Sequence, residues 1–438
     1  MSAARAPETA PPPELPRLLA GVHDGAPVSL EQHVARYGPL PRHGMRRRGS
    51  SALMAIVEQS GLRGRGGGAF PTARKMHAVA HGSGRPVVVV NGSEGEPLSA
   101  KDKLLLATFP HLVLDGAAVA AEAVGASEVV IAVDRDARPA LRAVAHALGT
   151  RGRARLDPVP FRLVDLPTRY VAGEETALVS FLNGADAKPT FVPPRPFERG
   201  VGGRPTLVQN VETLAHLALI ARFGPDWFRS VGTDGEPGSV LLTVSGAVAH
   251  PGVCEVALGT SLRDVMAVVG GETHQISAFL VGGYFGSWMA ANDVLDLPLT
   301  NATLRAAGSG LGCGVFYAFP AGRCGVEASA RIARYLADES AGQCGPCLYG
   351  LRAVADSMQA IADCRHGRGE IETLRRWCNQ IEGRGACSFP DGAVRFARSA
   401  LEVFAEEVHL HGQRGRCLTG DAPAMPMPRR DANERSWR

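Results

Sequence analysis

Alternating strand and helix patterns between residues 87 and 182 place the strongest constraint on the fold of this chain. Short apolar runs predict strands, and apolar residues at helical spacing predict the helices that separate them. The predicted strands cover 87–90, 128–133 and 161–164, and the predicted helices cover 112–124, 138–148 and 174–182. Strands joined by helical crossovers pair in parallel. The sequence therefore predicts an α/β fold with a mainly parallel, helix-covered sheet.

The rest of the chain predicts further domains, because 438 residues exceed the roughly 100–200 residues of one ordinary domain. Strand patterns and a turn between 239 and 290 predict a small mixed domain, and helical spacing from 327 to 410 predicts a helical bundle. The predicted boundaries are a partly disordered extension at 1–50, an α/β domain at 51–236, a mixed domain at 237–325, a helical domain at 326–411 and a basic disordered tail at 412–438.

Charge and hydropathy exclude two classes of partner. Of the net charge of +4, the tail at 412–438 supplies +3, because it holds six Arg against two Asp and one Glu. The body lacks the basic surplus that nucleic acid requires. The longest apolar runs are far shorter than the roughly 20 residues of a membrane helix, and no secretory signal is evident. We expect a cytoplasmic protein whose tail is solvated, with a contact to an acidic partner as the alternative.

A glycine-rich loop at 64–68 follows a predicted helix. A Rossmann dinucleotide motif would leave a strand and enter a helix, so we reject that interpretation. Successive glycines still let backbone N–H groups approach a phosphate or a flat ring. Lys75 comes soon after the loop, in a chain with only four lysines among its 47 basic residues. The two features indicate a phosphate site, and the alternative is a flexible loop with a solvated lysine.

Polar residues follow two of the predicted strands. The segment 91–97 (NGSEGEP) lies after the strand at 87–90, at the edge where open α/β sheets bind their ligands. Its Asn and Glu side chains can hydrogen-bond a heterocycle, or they form an ordinary polar loop. At 170–175, Glu174 and Glu175 begin a predicted helix, where they either bind a ligand or only stabilise the helix dipole.

Three of the nine cysteines have the spacing of a metal site. Cys344 and Cys347 form a C-x-x-C pair, and Cys387 follows 40 residues later. In a reducing cytoplasm such thiols suit an iron–sulfur cluster or zinc rather than disulfides. Unliganded buried thiols are the alternative. The other cysteines show no ligand spacing and are predicted to be small hydrophobic residues: Cys254, Cys313, Cys324, Cys364, Cys378 and Cys417.

Several segments together resemble the NADH-binding flavoprotein subunit of respiratory complex I and its relatives in NAD-linked hydrogenases and formate dehydrogenases. The resemblance covers about 28–410, in the family's order. Its strongest motifs are SGLRGRGGGAFPT at 60–72, YVAGEETAL at 170–178, PTLVQNVETL at 205–214 and ESAGQCGPC at 339–347. The resemblance implies a Rossmann-like FMN and NADH domain, a small β-grasp domain of the soluble-ligand-binding (SLBB) type, and a helical domain that carries an iron–sulfur motif.

The resemblance also implies the chemistry: a hydride passes from NAD(P)H to FMN, and single electrons then pass to an iron–sulfur cluster. It implies Glu96 and Glu175 as catalytic residues and Phe70 as a ring that stacks on adenine. The implied metal ligands are Cys344, Cys347 and Cys387. The implied cofactor-binding residues are Gly64, Arg65, Gly66, Gly67, Gly68, Phe70, Lys75, Asn91, Ser93, Glu94, Tyr170, Gly173, Glu174, Glu175 and Asn210. The implied partner is a ferredoxin or a thioredoxin-like [2Fe-2S] subunit, alone or within a larger redox complex peripheral to the inner membrane.

Departures from the family pattern keep other outcomes open. Ala341 stands where relatives have the first cluster cysteine, so the site holds a [3Fe-4S] cluster, a [4Fe-4S] cluster with another ligand, or none. On the nicotinamide side, Ala78, Val192 and Arg195 replace usual family residues, and Ser93 replaces a carboxylate. The alternative function is that of a degenerate paralogue that binds flavin or a partner protein without oxidising NADH.

Overall fold

The computed structural model describes residues 14–21, 26–41, 51–365, 369–415, 417–428 and 437–438. The disorder predicted for the first residues falls mostly on 1–13, outside the described residues. The described helices are α1 (Leu30–Tyr37), α2 (Ser51–Ser60), α3 (Thr72–Ala80), α4 (Lys101–Thr108), α5 (Pro110–Val124), α6 (Arg138–Ala154), α7 (Glu175–Leu182), α8 (Val211–Arg229), α9 (Leu262–Val268), α10 (Ala291–Val294), α11 (Asn301–Ala306), α12 (Gly325–Glu339), α13 (Leu351–Ala362), α14 (Glu370–Ile381), α15 (Phe389–Val403) and α16 (Ala405–Arg414). The described strands are β1 (Val87–Gly92), β2 (Glu128–Asp134), β3 (Phe161–Leu166), β4 (Thr206–Asn210), β5 (Ser239–Gly246), β6 (Gly252–Ala257), β7 (Ile276–Val281), β8 (Ser287–Ala290) and β9 (Val315–Pro320).

The first sheet is parallel throughout, in the order β3-β2-β1-β4. Val87, Val88, Val89 and Val90 are all fully buried, as expected for a central strand covered by helices on both faces. Helix α5 crosses between β1 and β2; it begins at Pro110 and ends at a left-handed glycine. These elements confirm the predicted α/β fold class.

The edge strand β4 and the helix α8 that follows it were not predicted from the sequence. Helix α8 is buried along most of its length, so its apolar residues show no single amphipathic face. Asn210 caps the helix by accepting a hydrogen bond from the backbone N–H of Glu212 at 3.0 Å. Helices α3 and α4 were also missed.

The second sheet is mixed and five-stranded, in the order β6-β5-β9-β7-β8. The antiparallel pairs β5–β6 and β7–β8 flank β9, which pairs in parallel with β5. Helices α12 to α16 follow and share one hydrophobic core with part of this sheet. The predicted hairpin and the predicted helical C-terminal region are therefore both present.

Among the described residues of the tail predicted to be disordered at 412–438, several at 417–428 and 437–438 pack against the rest of the chain. Ala422 is buried, and Met425, Met427 and Trp437 pack against the core of the helical domain. The Trp437 ring also lies 4.9 Å from the Arg169 guanidinium. The prediction of disorder rested on overall composition. Composition does not reveal the apolar side chains that stand among the prolines of this segment, and these side chains pack on the core.

Among the described residues no single helix is long and apolar enough to cross a membrane. The bent pair α4 and α5, which meet at 97°, passes that test only when taken together.

Helices α5 and α8 pack so closely that only glycine fits at their contact. A Cβ atom on Gly116 would lie 1.8 Å from the backbone oxygen of Leu214. We expect Gly116→Ala to lower the free energy of unfolding by about 1–3 kcal/mol, because the helices must separate. Gly149→Ala is the matched control, since it is exposed on α6 and its Cβ would meet only Arg153, at 3.8 Å. The control should gain about 0.5–1 kcal/mol in denaturant titrations, and equal stability of the two variants would contradict the contact.

Candidate functional site

The glycine-rich loop lies against the carboxyl end of the parallel sheet. Asn91 of β1 is in register with Asn210 of β4. A Cβ atom on Gly66 would lie 3.2 Å from the Cβ of Asn210, so the loop backbone approaches the strand end closely. The chain segments near 66, 91 and 210 thus meet where an open α/β sheet binds its ligand.

The loop before α7 packs on the polar segment after β1. The Asn91 side chain donates a hydrogen bond to the Gly173 oxygen at 2.8 Å. A Cβ on Gly173 would lie 3.1 Å from the Cβ of Ser93, so the two loops approach each other closely at this position. Two motifs that are distant in sequence therefore form one continuous surface, which we call the wall of the site.

Lys75 supplies a partly exposed cation beside this wall. Its Nζ lies 2.7 Å from Oε2 of Glu175, and both side chains keep roughly a quarter of their surface exposed (22% and 28%). A partly hydrated ion pair of this kind exchanges partners at little cost. Lys75 is thus able to bind an incoming phosphate, while Phe70 nearby is 51% exposed, with the Arg74 guanidinium 5.5 Å from the centroid of its ring.

Glu96 is a carboxyl group of the site whose pKa is strongly raised. It is buried and accepts hydrogen bonds from the Tyr170 hydroxyl at 2.7 Å and the Tyr284 backbone N–H at 2.8 Å. Burial raises the pKa of Glu96 to about 7, although these hydrogen bonds oppose the shift. The carboxyl group is therefore poised to hold or release a proton near neutral pH.

A network of buried ionic groups is hydrogen-bonded to Asn210 of the site. Lys101 Nζ lies 2.8 Å from Oε2 of Glu212 and 2.9 Å from Oδ1 of Asp102. Asp102 in turn accepts a hydrogen bond from the Asn210 amide at 2.6 Å. Sequence analysis missed Lys101, Asp102 and Glu212; the one available signal was a rare lysine next to an aspartate at the start of an apolar helix.

Three of the predicted ligand side chains are already bound within the protein. The Arg65 guanidinium donates to the Ser239 backbone oxygen at 3.0 Å. The Glu94 carboxylate accepts the backbone N–H groups of Asp102 and Lys103, at 3.1 Å and 3.0 Å, which begin α4. The Asn210 side chain caps α8 and binds Asp102. These side chains stabilise the conformation of the site. At these positions we therefore expect the backbone, and not the side chain, to contact a ligand.

The three predicted metal ligands converge in the helical domain. Cys347 is buried on one turn of π-helix, Pro346–Gly350, and burial together with the neighbouring Cys344 and Cys387 raises the pKa of its thiol. Ala341 is partly buried and packs against the same hydrophobic core as these cysteines. Phe389, two residues after Cys387, packs on the ring of Tyr170 at 5.7 Å, and the Tyr170 hydroxyl donates to Glu96, so this region lies next to the polar segment after β1.

The segment 191–195 is more open than the loops described above. Phe191 is 82% exposed, and Val192 and Arg195 are exposed as well. The Arg195 backbone N–H donates to the Glu198 carboxylate at 2.8 Å, while its guanidinium faces solvent.

Fold and site together define a class, that of redox proteins which hold a flavin-type ligand beside a metal–sulfur centre. Comparison with known proteins narrows the class. Residues 57–219 match the model of the Nuo51 FMN-binding domain, and residues 327–411 match that of the NADH-ubiquinone oxidoreductase-F iron–sulfur binding region. The F subunit of the NADH-quinone oxidoreductase of Streptomyces coelicolor is 35% identical over 374 residues, which cover 82% of each chain. The chain belongs to this family, the F subunits of NADH-quinone oxidoreductases.

Other relatives extend beyond complex I. The NADP-reducing hydrogenase subunit HndC of Solidesulfovibrio fructosivorans is 29% identical over 83% of this chain and 77% of its own. A crystal structure of an NAD+-reducing [NiFe]-hydrogenase in the H2-reduced state superposes with a TM-score of 0.76 at 30% identity. That match covers 83% of this chain but only 63% of the hydrogenase chain, which is therefore considerably longer.

The raised pKa of Glu96 predicts a pH-dependent stability difference. Between pH 4.5, the ordinary pKa, and about 7, the unfolded chain loses this proton while the folded chain keeps it. The free energy of unfolding therefore falls across this window on account of Glu96. Glu96→Gln should become more stable than the unsubstituted protein by about 3 kcal/mol over the same window. The exposed Glu58→Gln is the control. Denaturant titrations at several pH values that show parallel curves for all three proteins would refute the shift.

Proposed function

We propose that this chain is the NAD(P)H-oxidising flavoprotein subunit of a multi-subunit redox enzyme. It passes electrons from NAD(P)H through FMN to an iron–sulfur centre and then to a protein partner. The observation that supports this most directly is the contact between the two halves of the site. The Tyr170 hydroxyl donates a hydrogen bond to Glu96 at 2.7 Å, and its ring lies 5.7 Å from the ring of Phe389, two residues after Cys387. Such proximity suits electron transfer between two bound cofactors.

Different backbone and side-chain groups bind different parts of FMN and of the nucleotide. FMN, when bound, supplies the hydride acceptor and the release of single electrons. The backbone N–H groups at 64–68 and the Lys75 cation bind the phosphate, and Asn91, Ser93 and Gly173 bind the polar edge of the flavin. Phe70 stacks on the adenine of the nucleotide. Glu175 neutralises Lys75 until a phosphate takes its place.

Glu96 holds a proton at Oε1 or Oε2 near neutral pH, with Tyr170 and Tyr284 fixing the orientation of the carboxyl group. In this role Glu96 contacts the nicotinamide ring. Its carboxyl group takes up or releases a proton as the charge of the ring changes. The ring of Tyr170 also packs on Phe285 of the mixed domain at 4.6 Å and on Phe389 of the helical domain at 5.7 Å. The carboxyl group of Glu96 is therefore connected through Tyr170 to both of these domains.

The donor set of the cluster motif fits an iron–sulfur centre with three protein ligands. Cys344, Cys347 and Cys387 supply thiolates, while Ala341 offers only a methyl group. A [3Fe-4S] cluster needs no more than three cysteines, whereas a [4Fe-4S] cluster here leaves one iron to a non-protein ligand. The electrons then pass to a ferredoxin or a thioredoxin-like [2Fe-2S] subunit, consistent with the multi-subunit enzymes named among its relatives.

A second candidate function is a degenerate paralogue that binds flavin or a partner without oxidising NADH. It is favoured by the methyl group at Ala341 and by the replaced residues at Val192 and Arg195. Anaerobically purified protein distinguishes the two functions. Bound FMN and iron, with the flavin band bleached on addition of NADH or NADPH, support the first. A flavin that neither nucleotide reduces, or protein that rejects FMN, supports the second.

Lys75→Gln should weaken FMN binding by tenfold or more, since a hydrogen bond to a charged group contributes about 1.5–3 kcal/mol. Lys188→Gln is the control, because Lys188 is another partly exposed lysine but pairs with Asp186, away from the glycine-rich loop. Fluorescence titration of the apoprotein with FMN measures the affinity. Equal affinity in the two variants would remove Lys75 from the phosphate site.

Ala341→Cys should restore a four-cysteine motif and change the cluster type. The unsubstituted protein is expected to show the electron paramagnetic resonance signal of an oxidised [3Fe-4S] centre after anaerobic reconstitution. The variant should lose that signal and show one only after reduction, as [4Fe-4S] centres do. Ala400→Cys, buried on α15, is the matched control. Identical spectra for the unsubstituted protein and Ala341→Cys would place residue 341 outside the ligand shell.

A further inference from the structure

A second group of metal-ligating side chains lies where α12 begins. Cys324, His411 and Cys417 are far apart in sequence, yet their ligand atoms all lie within 4.8 Å of one another. Cys324 and Cys417 were predicted from spacing to be small hydrophobic residues. Cys324 is buried in the core of the helical domain, as that prediction expects, whereas Cys417 is exposed; the fold and not the local spacing brings the two thiols together.

His411 is oriented as a metal ligand. Its Nδ1 donates a hydrogen bond to the Ile361 backbone oxygen at 3.0 Å, which fixes the proton on that nitrogen. The other nitrogen, Nε2, is left with its lone pair directed at Sγ of Cys324, 3.8 Å away. A backbone carbonyl that holds the far side of the ring is the usual support of a ligating histidine.

The two thiols differ in their surroundings. Cys324 is buried at the N-cap of α12, where its sulfur accepts the backbone N–H of Glu327 at 3.3 Å. Cys417 is exposed, and its Sγ lies 3.1 Å from the Thr419 hydroxyl oxygen.

The backbone holds this group in place without a bound ion. The Cys324 N–H donates to the Gly420 oxygen, and the Gly420 N–H donates to the Gly322 oxygen, both at 2.9 Å. A little further on, the Ala422 N–H donates to Oε2 of Glu327 at 2.8 Å. The segment that carries Cys417 is therefore fixed beside the start of α12, so the ligand set is preorganised.

We propose that Cys324, His411 and Cys417 form a binding site for zinc or a similar soft divalent cation, separate from the iron–sulfur motif and independent of the proposed function. Two thiolates and an imidazole favour zinc over magnesium or calcium, which prefer oxygen ligands. Solvent reaches the exposed Cys417, so water completes the fourth position. The ion joins the segment 417–428 to the helices α12 and α16.

Metal analysis of the full-length protein tests the site. After expression with added zinc and extensive dialysis, we expect one equivalent of zinc per chain beyond the iron content. Cys417→Ser, an exposed and tolerant position, should lose that equivalent, and Cys254→Ser, a partly buried cysteine on β6, should retain it. The cluster thiols also bind zinc, so the combined variant Cys344→Ala, Cys347→Ala and Cys387→Ala must be measured. Zinc that vanishes in this variant but persists in Cys417→Ser would overturn the proposal.

Cobalt substitution and thermal unfolding give independent readouts. Cobalt(II) should produce a sulfur-to-metal charge-transfer band in the combined variant, and adding Cys417→Ser or His411→Gln to that background should abolish it. Chelation should lower the melting temperature of the unsubstituted protein but leave Cys417→Ser unchanged. Two results would contradict the proposed zinc site. One is metal-free protein with a Cys324–Cys417 disulfide, and the other is a cobalt spectrum that Cys417→Ser leaves unchanged.

Discussion

The buried ion pair between Lys101 and Glu212 is the interaction on which the rest of the structure depends. Lys101 begins α4 and Glu212 begins α8, and the side chains of both are almost wholly excluded from water. Burial alone would raise the pKa of Glu212, yet Lys101 and its other neighbours lower it to about 2. An uncompensated buried charge costs about 3–5 kcal/mol, so each partner requires the other. Through Glu212, which also accepts the Leu241 N–H at 2.9 Å, the pair joins the parallel sheet to the second sheet.

Tyr170 provides the corresponding link between the polar segment after β1 and the helical domain. Its hydroxyl orients Glu96, its backbone N–H donates to Glu339 at 3.1 Å, and its ring packs on Phe285 and Phe389. One side chain thus contacts the titrating carboxyl group and the aromatic residue two positions after Cys387. Glu96 and the residues that follow Cys387 are therefore joined by the contacts of a single aromatic side chain.

Local patterns predicted the elements whose signals are local. The strands near Val87 and Glu128 and the amphipathic C-terminal helices follow from periodicity, and the motif near Cys344 follows from spacing. Helix α8 was missed because burial on nearly all sides removes the amphipathic signal. The Lys101–Glu212 pair and the Cys324–His411 contact were also missed, since each joins residues that are distant in sequence and only the completed fold brings them together. The residues of the flavin loop were found by family resemblance, and their roles stay predictions.

The contact between Trp437 and the segment near Lys188 has a consequence for biosynthesis. The Trp437 oxygen accepts the Ala187 N–H at 2.9 Å, and Arg438 pairs with Asp186 at 3.1 Å. A ribosome adds roughly 5–20 residues per second, and N-terminal domains fold while later ones are still being made. The parallel sheet is thus complete many seconds before Trp437 emerges. Until then the turn at 186–188 lacks these contacts, so the nascent α/β domain presents a different surface to chaperones and to early-arriving subunits than the finished protein does.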